Sequence, residues 1–156
     1  MLVLIQEVDV AVILIVEDEE QVRVLAESYL QSTGHMTLSA STIEQAIALL
    51  ESNDKVDVLF TDLNLHGDIQ GGLALATKAA ETKPGLRVLY TSGQGVTDGM
   101  IALFVPNSAY LPKPYTVEQL GTMLSMRFDV QSAKSLDGKK PPQAVFKSAA
   151  DEKGPQ

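Results

Sequence analysis

The chain has 156 residues, 45% of them hydrophobic and 21% charged, with a formal net charge of −8 at pH 7. This length suits one domain with a sizeable core, and the acidic balance, with Lys and Arg scattered, argues against nucleic acid as a direct partner and suits a basic protein surface. Zero cysteines exclude a disulfide framework and a thiolate metal site.

Residues 1–10 precede the first convincing strand and form an N-terminal extension. Residues 1–16, MLVLIQEVDVAVILIV, lack a basic start and are interrupted by Glu7 and Asp9, so they do not read as a signal sequence. No run reaches transmembrane length without a charge, so a cytoplasmic location without membrane contact is expected. Residues 11–16, AVILIV, read as a buried strand that ends on Glu17 and Asp18. Val22, Leu25, Ala26, Tyr29 and Leu30 then recur at helical spacing up to a stop at Gly34. Residues 35–40 are a weaker strand, and Ser41-x-x-Glu44 reads as a capping box opening a helix with Ile43, Ala46, Ile47 and Leu50 inward.

The strongest strand signal is residues 56–65, VDVLFTDLNL, an apolar run that leaves the core at one carboxylate, Asp62. A glycine-rich turn at 66–72 leads to a helix near 73–82, broken by Lys83-Pro84-Gly85. A fourth strand starts at Arg87 and ends beside Ser92. The next segment, MIALFV at 100–105, is apolar on every side and bounded by Gly95, Gly99 and Pro106, which predicts a short helix or an irregular stretch. It is read as core, with Met100 and Phe104 as candidates to face a partner. Tyr110 and Leu111 form a fifth strand ahead of Lys113, and Thr116-x-x-Gln119 caps a last helix carrying Val117, Leu120, Leu124 and Phe128. Residues 129–156 shift to Ser, Lys, Gly, Pro and Gln without periodicity and are expected to be a disordered tail. Strand then helix, five times over, predicts an α/β fold with a doubly wound, five-stranded parallel sheet.

In such a sheet the strands deliver Glu17, Asp18, Asp62, Ser92 and Lys113 to one edge, where ligands bind. Three carboxylates brought together need a cation or a raised pKa. An oxygen-only set suits Mg²⁺, which recruits phosphate as a further ligand. A carboxylate can serve as the nucleophile in phosphoryl transfer, so Asp62 is the candidate acceptor, with Lys113 and Ser92 placed to neutralise phosphoryl oxygens. His35 and His66 are read as surface residues, each without a second nearby ligand.

These residues resemble the receiver domain of two-component response regulators over about residues 11–128. The matching pieces are VEDE (Glu17, Asp18), TDLNL (Asp62), TSG (Ser92) and YLPKPY (Lys113). The resemblance implies a (βα)5 flavodoxin-like fold and Mg²⁺ held by Asp18, Asp62 and the backbone carbonyl of Asn64, with Glu17 acting through water. It also implies a cis peptide before Pro114 and a switch made of Ser92, rather than Thr91, and Tyr110. The partners it implies are a histidine kinase or histidine phosphotransfer protein, and a downstream protein or a second copy meeting the fourth helix, fifth strand and fifth helix. No enzymatic activity beyond the chemistry on Asp62 is expected.

Two places depart from the family pattern: His66 stands where a proline is usual, and PNSAY replaces the usual Gly-Ala before Tyr110, as in receivers serving hybrid histidine kinases. No helix-turn-helix pattern follows, so a stand-alone receiver that signals by protein contact is expected. An aspartyl-nucleophile phosphatase of the haloacid dehalogenase type is disfavoured by Asn64, which stands where that class has an acid. A flavodoxin-like cofactor module is disfavoured by the acids at 17–20 in its phosphate loop. A pseudo-receiver that keeps the fold without phosphorylation is the remaining alternative.

Overall fold

The structure, a computed structural model, describes residues 10–126 and 145–147. Five apolar runs take up parallel strands, β1 (Val12–Val16), β2 (Met36–Ala40), β3 (Val58–Asp62), β4 (Arg87–Ser92) and β5 (Ser108–Pro112). They alternate with α1 (Glu20–Ser32), α2 (Ile43–Ser52), α3 (Gly71–Thr82), α4 (Asp98–Ala102) and α5 (Val117–Ser125). The sheet runs β2-β1-β3-β4-β5, and a short strand, β6 (Val145–Lys147), joins antiparallel to β5. The expected five-stranded parallel sheet is therefore present, with one antiparallel strand added at its edge.

Strand alternation sorts the core into two layers. Leu14, Val16, Leu59, Val88 and Tyr90 face α2 and α3 together with Phe104 and Val105, whereas Ile13, Ile15, Val58, Phe60 and Leu89 face α1 and α5. The central strand β3 is buried at every position, which is why it reads as a continuous apolar run rather than an alternating one. None of the described helices is long and apolar enough to cross a membrane.

Three sequence readings shift. The α2 cap is Thr42, whose hydroxyl accepts from Gln45 N, while the Gln45 side chain accepts from Ser41 N and Oγ. The box thus begins one residue later than Ser41-x-x-Glu44. Leu25 is 58% exposed, because α1 buries only the narrow stripe marked by Ala26 and Leu30. Within the expected disordered tail, Val145–Lys147 is a strand, paired antiparallel with the outer edge of β5. The rest of that tail, Phe128, and the N-terminal extension up to residue 9 lie outside the described residues. The capping box at Thr116 and Gln119 forms as read, and α4 is a single short helix of five residues capped by Thr97.

Gly72 fastens α3 to the end of β3. A Cβ there would lie 2.1 Å from the Asp62 carbonyl oxygen and 2.7 Å from Leu63 Cα, both backbone atoms that cannot swing aside. Gly93, by contrast, has open space around it. Gly72→Ala should lower unfolding stability in a denaturant titration by about 3 kcal/mol, from overpacking, and Gly93→Ala should change it little.

Candidate functional site

Parallel pairing sets which residues can meet. Asp62, the last residue of β3, pairs with Thr91, and Ser92, the last of β4, pairs with Pro112, so β1, β3, β4 and β5 all end at one edge of the sheet. Backbone bonds carry the register past the strand ends: Glu17 N donates to Ala40 O, Leu63 N to Thr91 O, and Lys113 N to Ser92 O. Three carboxylates and one ammonium are thereby held close by main chain rather than by their own attraction.

The site is built around the Lys113 ammonium, which donates to Glu17 Oε1 at 2.5 Å and to Asp62 Oδ2 at 2.8 Å. Three of the four remaining carboxylate oxygens are held by backbone amides: Asn64 N donates to Asp62 Oδ1 at 3.0 Å, Glu19 N to Glu17 Oε2 at 3.2 Å, and His66 N to Asp18 Oδ2 at 3.1 Å. One ligand oxygen each from Glu17, Asp18 and Asp62 lies within 4.8 Å of the other two. Glu17 is 4% and Asp62 6% exposed, so the cluster is sheltered but open enough to be reached.

Burial pushes the Glu17 carboxyl up to about 7, against the opposing pull of Lys113 and of the Glu19 amide. Burial alone would also lower Lys113, but its bonds to Asp62 and Glu17 outweigh that and hold it well above the ordinary lysine range. Burial tends to raise Asp18, yet the His66 amide and the neighbouring hydrogen bonds leave it below the ordinary carboxylate range. With all three acids ionised, one lysine leaves two negative charges unbalanced. Hard, closely set oxygens with excess charge fit a small divalent cation.

The sequence-predicted residues fall into two groups. Glu17, Asp18, Asp62 and Lys113 meet in one cluster, with Asn64 beside them through its amide. Ser92 is buried at the same edge, but its hydroxyl closes its own turn, donating to Gly95 O at 3.3 Å and accepting from Gln94 N at 3.1 Å. Thr91 Oγ1 is buried without a hydrogen-bond partner among the described residues. Tyr110 is inward, 3% exposed, and its hydroxyl donates to the Ser92 carbonyl at 3.1 Å. Phe104 is core, stacked on Tyr90 at 4.1 Å, and Met100 is half-buried against the same layer. The peptide between Lys113 and Pro114 is cis.

Sequence reasoning missed three supports. Arg23 Nη1 donates to the Glu17 carbonyl at 2.9 Å, one helical turn into α1. Gly72 gives the α3 backbone its closeness to Asp62. His66, a surface residue as read, also meets Asp18 through its amide and Ser41 O through its ring at 2.8 Å. Only Gly72 had a signal, the paired glycines after an acidic strand end.

Residues 13–125 match the family described as response regulator receiver domain. The chain is 28% identical over 125 residues to a sensor kinase CckA of Brucella abortus (strain 2308), covering 78% of this chain and 13% of that one. It is 28% identical over 123 residues to a putative NtrX-like response regulator of Rickettsia conorii (strain ATCC VR-613 / Malish 7), covering 78% of this chain and 26% of that protein. The chain thus spans about a quarter or less of the length of these curated relatives. Among solved structures, a response regulator receiver protein from Sinorhizobium medicae WSM419 superposes with a TM-score of 0.67 at 30% identity, covering 75% of this chain and 93% of that one. The receiver domain of a hybrid histidine kinase CckA gives a TM-score of 0.61 at 29% identity, covering 72% and 94%.

The Lys113 ion pairs set a stability test. Lys113→Met leaves Glu17 and Asp62 facing each other unneutralised, and in the presence of a chelator at pH 8 should cost about 3 kcal/mol in denaturant unfolding. Burial raises Glu17 from 4.5 to about 7 even while Lys113 lowers it, so in the variant its carboxyl takes up a proton above 7 and the burden of its charge fades as pH falls from 8. The deficit of the variant should therefore shrink between pH 8 and pH 5.5.

Proposed function

Because this chain belongs to the response regulator receiver domain family, we propose that it accepts a phosphoryl group on Asp62 from a histidine of a kinase or phosphotransfer protein and relays the change by protein contact. The observation that carries this reading is one ammonium, Lys113, bonded at once to the carboxylate ending the central strand and to a second acid, with a third alongside. An ordinary surface acid has no such company.

An Asp62 oxygen attacks phosphorus, the bond from phosphorus to the donor nitrogen breaks, and its electron pair stays with the imidazole that leaves. The product is an acyl phosphate. Asn64 N, donating to Oδ1, holds the carboxylate in one rotamer before attack. Lys113 is already bonded to Oδ2 and moves with the phosphoryl group as charge develops on its oxygens. Mg²⁺, when bound by Asp18, Asp62 and the Asn64 carbonyl with Glu17 acting through water, supplies further positive charge to the phosphoryl oxygens. Glu17 is kept in place for that role by the Glu19 amide of its own loop, and Asp18 by the His66 amide from the loop after β3.

The relay runs through Ser92. Its hydroxyl bonds within its own turn are long enough to exchange for a stronger bond to a phosphoryl oxygen, a charged acceptor. Because Tyr110 donates to the Ser92 carbonyl, movement of that residue is felt at once by a buried ring of β5. Phosphorylation then biases two packings of the loop between β4 and β5 through a bond present in only one. The receiving surface for a partner is the side formed by α4, β5 and α5.

Asp62→Asn should abolish labelling by a small phosphodonor in Mg²⁺, and chelation should do the same to the parent; full labelling of the variant by mass spectrometry would remove Asp62 from the role. Ser92→Ala should still accept phosphate, yet lose the phosphorylation-dependent shifts of amide resonances between residues 93 and 110. Unchanged shifts would move the switch to another residue.

A further inference from the structure

Asp18 is held by an unusual piece of backbone. Leu65 and Asp68 exchange amide-to-carbonyl bonds at 3.1 and 3.0 Å, and the two residues between them, His66 and Gly67, have φ of 52° and 79°. Two successive left-handed residues inside a reciprocally bonded pair make a type I′ turn, which Gly enters freely and a side chain enters at a cost. Leu65, 2% exposed, roots the turn in the core. The left-handed conformation of His66 aims its N–H back at Asp18 Oδ2, 3.1 Å away.

The His66 ring offsets that cost. Its Nε2 lies 2.8 Å from the Ser41 carbonyl, which can only accept, so Nε2 carries the proton and donates. Ser41 belongs to the loop between β2 and α2, which is fastened separately by the Gln45 side chain. One residue therefore links the loop after the acceptor strand to the loop after β2, and its amide fixes the carboxylate between them.

We infer that His66 is a positioning residue for the cation site, its left-handed amide fixing one oxygen of Asp18 and its ring anchoring the turn on Ser41. The inference rests on the reading of Asp18 as a metal ligand. A ligand carboxylate whose second oxygen is tied to an amide has its orientation settled before the ion arrives, the effect that neighbours of metal ligands exert elsewhere. Exposed polar residues that only decorate a loop have no such leverage on affinity.

Substitution separates the amide from the ring. Proline has no N–H and cannot adopt a positive φ, so His66→Pro removes the donor and opens the turn. Glycine keeps the N–H and enters the left-handed region without strain, losing only the anchor. Mg²⁺ titration by calorimetry should show affinity about tenfold weaker in His66→Pro and within about threefold of the parent in His66→Gly. Should the proline variant fail to fold, His66→Val serves, because it keeps the N–H but its branched side chain resists a positive φ; its affinity should fall on the proline side of glycine. A purely structural role would lower the melting temperature without separating the variants in metal affinity. Parent-like affinity in His66→Pro or His66→Val, or a glycine loss as large as theirs, would overturn the inference while leaving phosphate acceptance by Asp62 intact. Absence of Mg²⁺ binding by the parent would overturn both.

Discussion

The structure depends on a repulsion that the chain cannot avoid. A parallel sheet with central β3 must bring the ends of β1 and β3 side by side, and in this sequence those ends are Glu17, Asp18 and Asp62. Lys113 answers it from β5, two strands away from β3, donating to two of the three acids. The remaining burden shows in Glu17, pushed up to about 7 by burial even with the lysine at bonding distance. A site so arranged is under-neutralised by design of its topology and gains from any added positive charge. Keeping a buried cluster under-neutralised costs stability, a cost of the kind that strained sites carry.

What the sequence made legible follows from which forces are local. The apolar run before Asp62 identifies a strand buried on both faces, because only such a strand needs no polar alternation. The order of acids, hydroxyl and lysine on the strand ends then places them at one edge of the sheet, since right-handed crossovers leave few ways to wind the chain, while the contacts made within that edge depend on the loops. Thr116 and Gln119 were legible for the same reason: a capping box is satisfied within four residues. The box at α2 was off by one because Ser41 and Thr42 are both competent caps, and the choice between them depends on where the strand before them ends. Leu25 points to solvent because helix periodicity gives a stripe but not its width, which the partner surface sets.

The supports that escaped notice act through backbone or through space. Gly72 matters for an atom it lacks, against the Asp62 carbonyl of another element. His66 matters for the direction of an amide, and no pattern of side chains signals a left-handed φ at a histidine; a proline at this position would have ruled the conformation out. Strand β6 depends on a free edge that exists only once β5 has joined the sheet. Its three residues alone carry too little apolar periodicity to be read as a strand.

The path from the acid cluster to the outer side of the sheet is short and made of unlike parts. On the inner end it is electrostatic, an ammonium shared by two carboxylates. The middle is a pair of hydrogen bonds on one residue: the Ser92 carbonyl takes the Lys113 amide on one side and the Tyr110 hydroxyl on the other. At the far end it is packing, with Tyr110 tilted against Phe104 at 6.4 Å and Phe104 stacked on Tyr90, whose own hydroxyl accepts from Val105 N. That row of rings connects β4 and β5 to the segment after α4. Rings in close contact repack in steps rather than by degrees, because a partly withdrawn ring forfeits its contacts before it finds new ones. Tyr110 also pairs with Val145 of β6 across the sheet edge, so its backbone is fixed by pairing on both sides. In the proposed relay, a change in charge at Asp62 is converted into a choice between side-chain packings on β5, a strand whose main chain is paired on both sides.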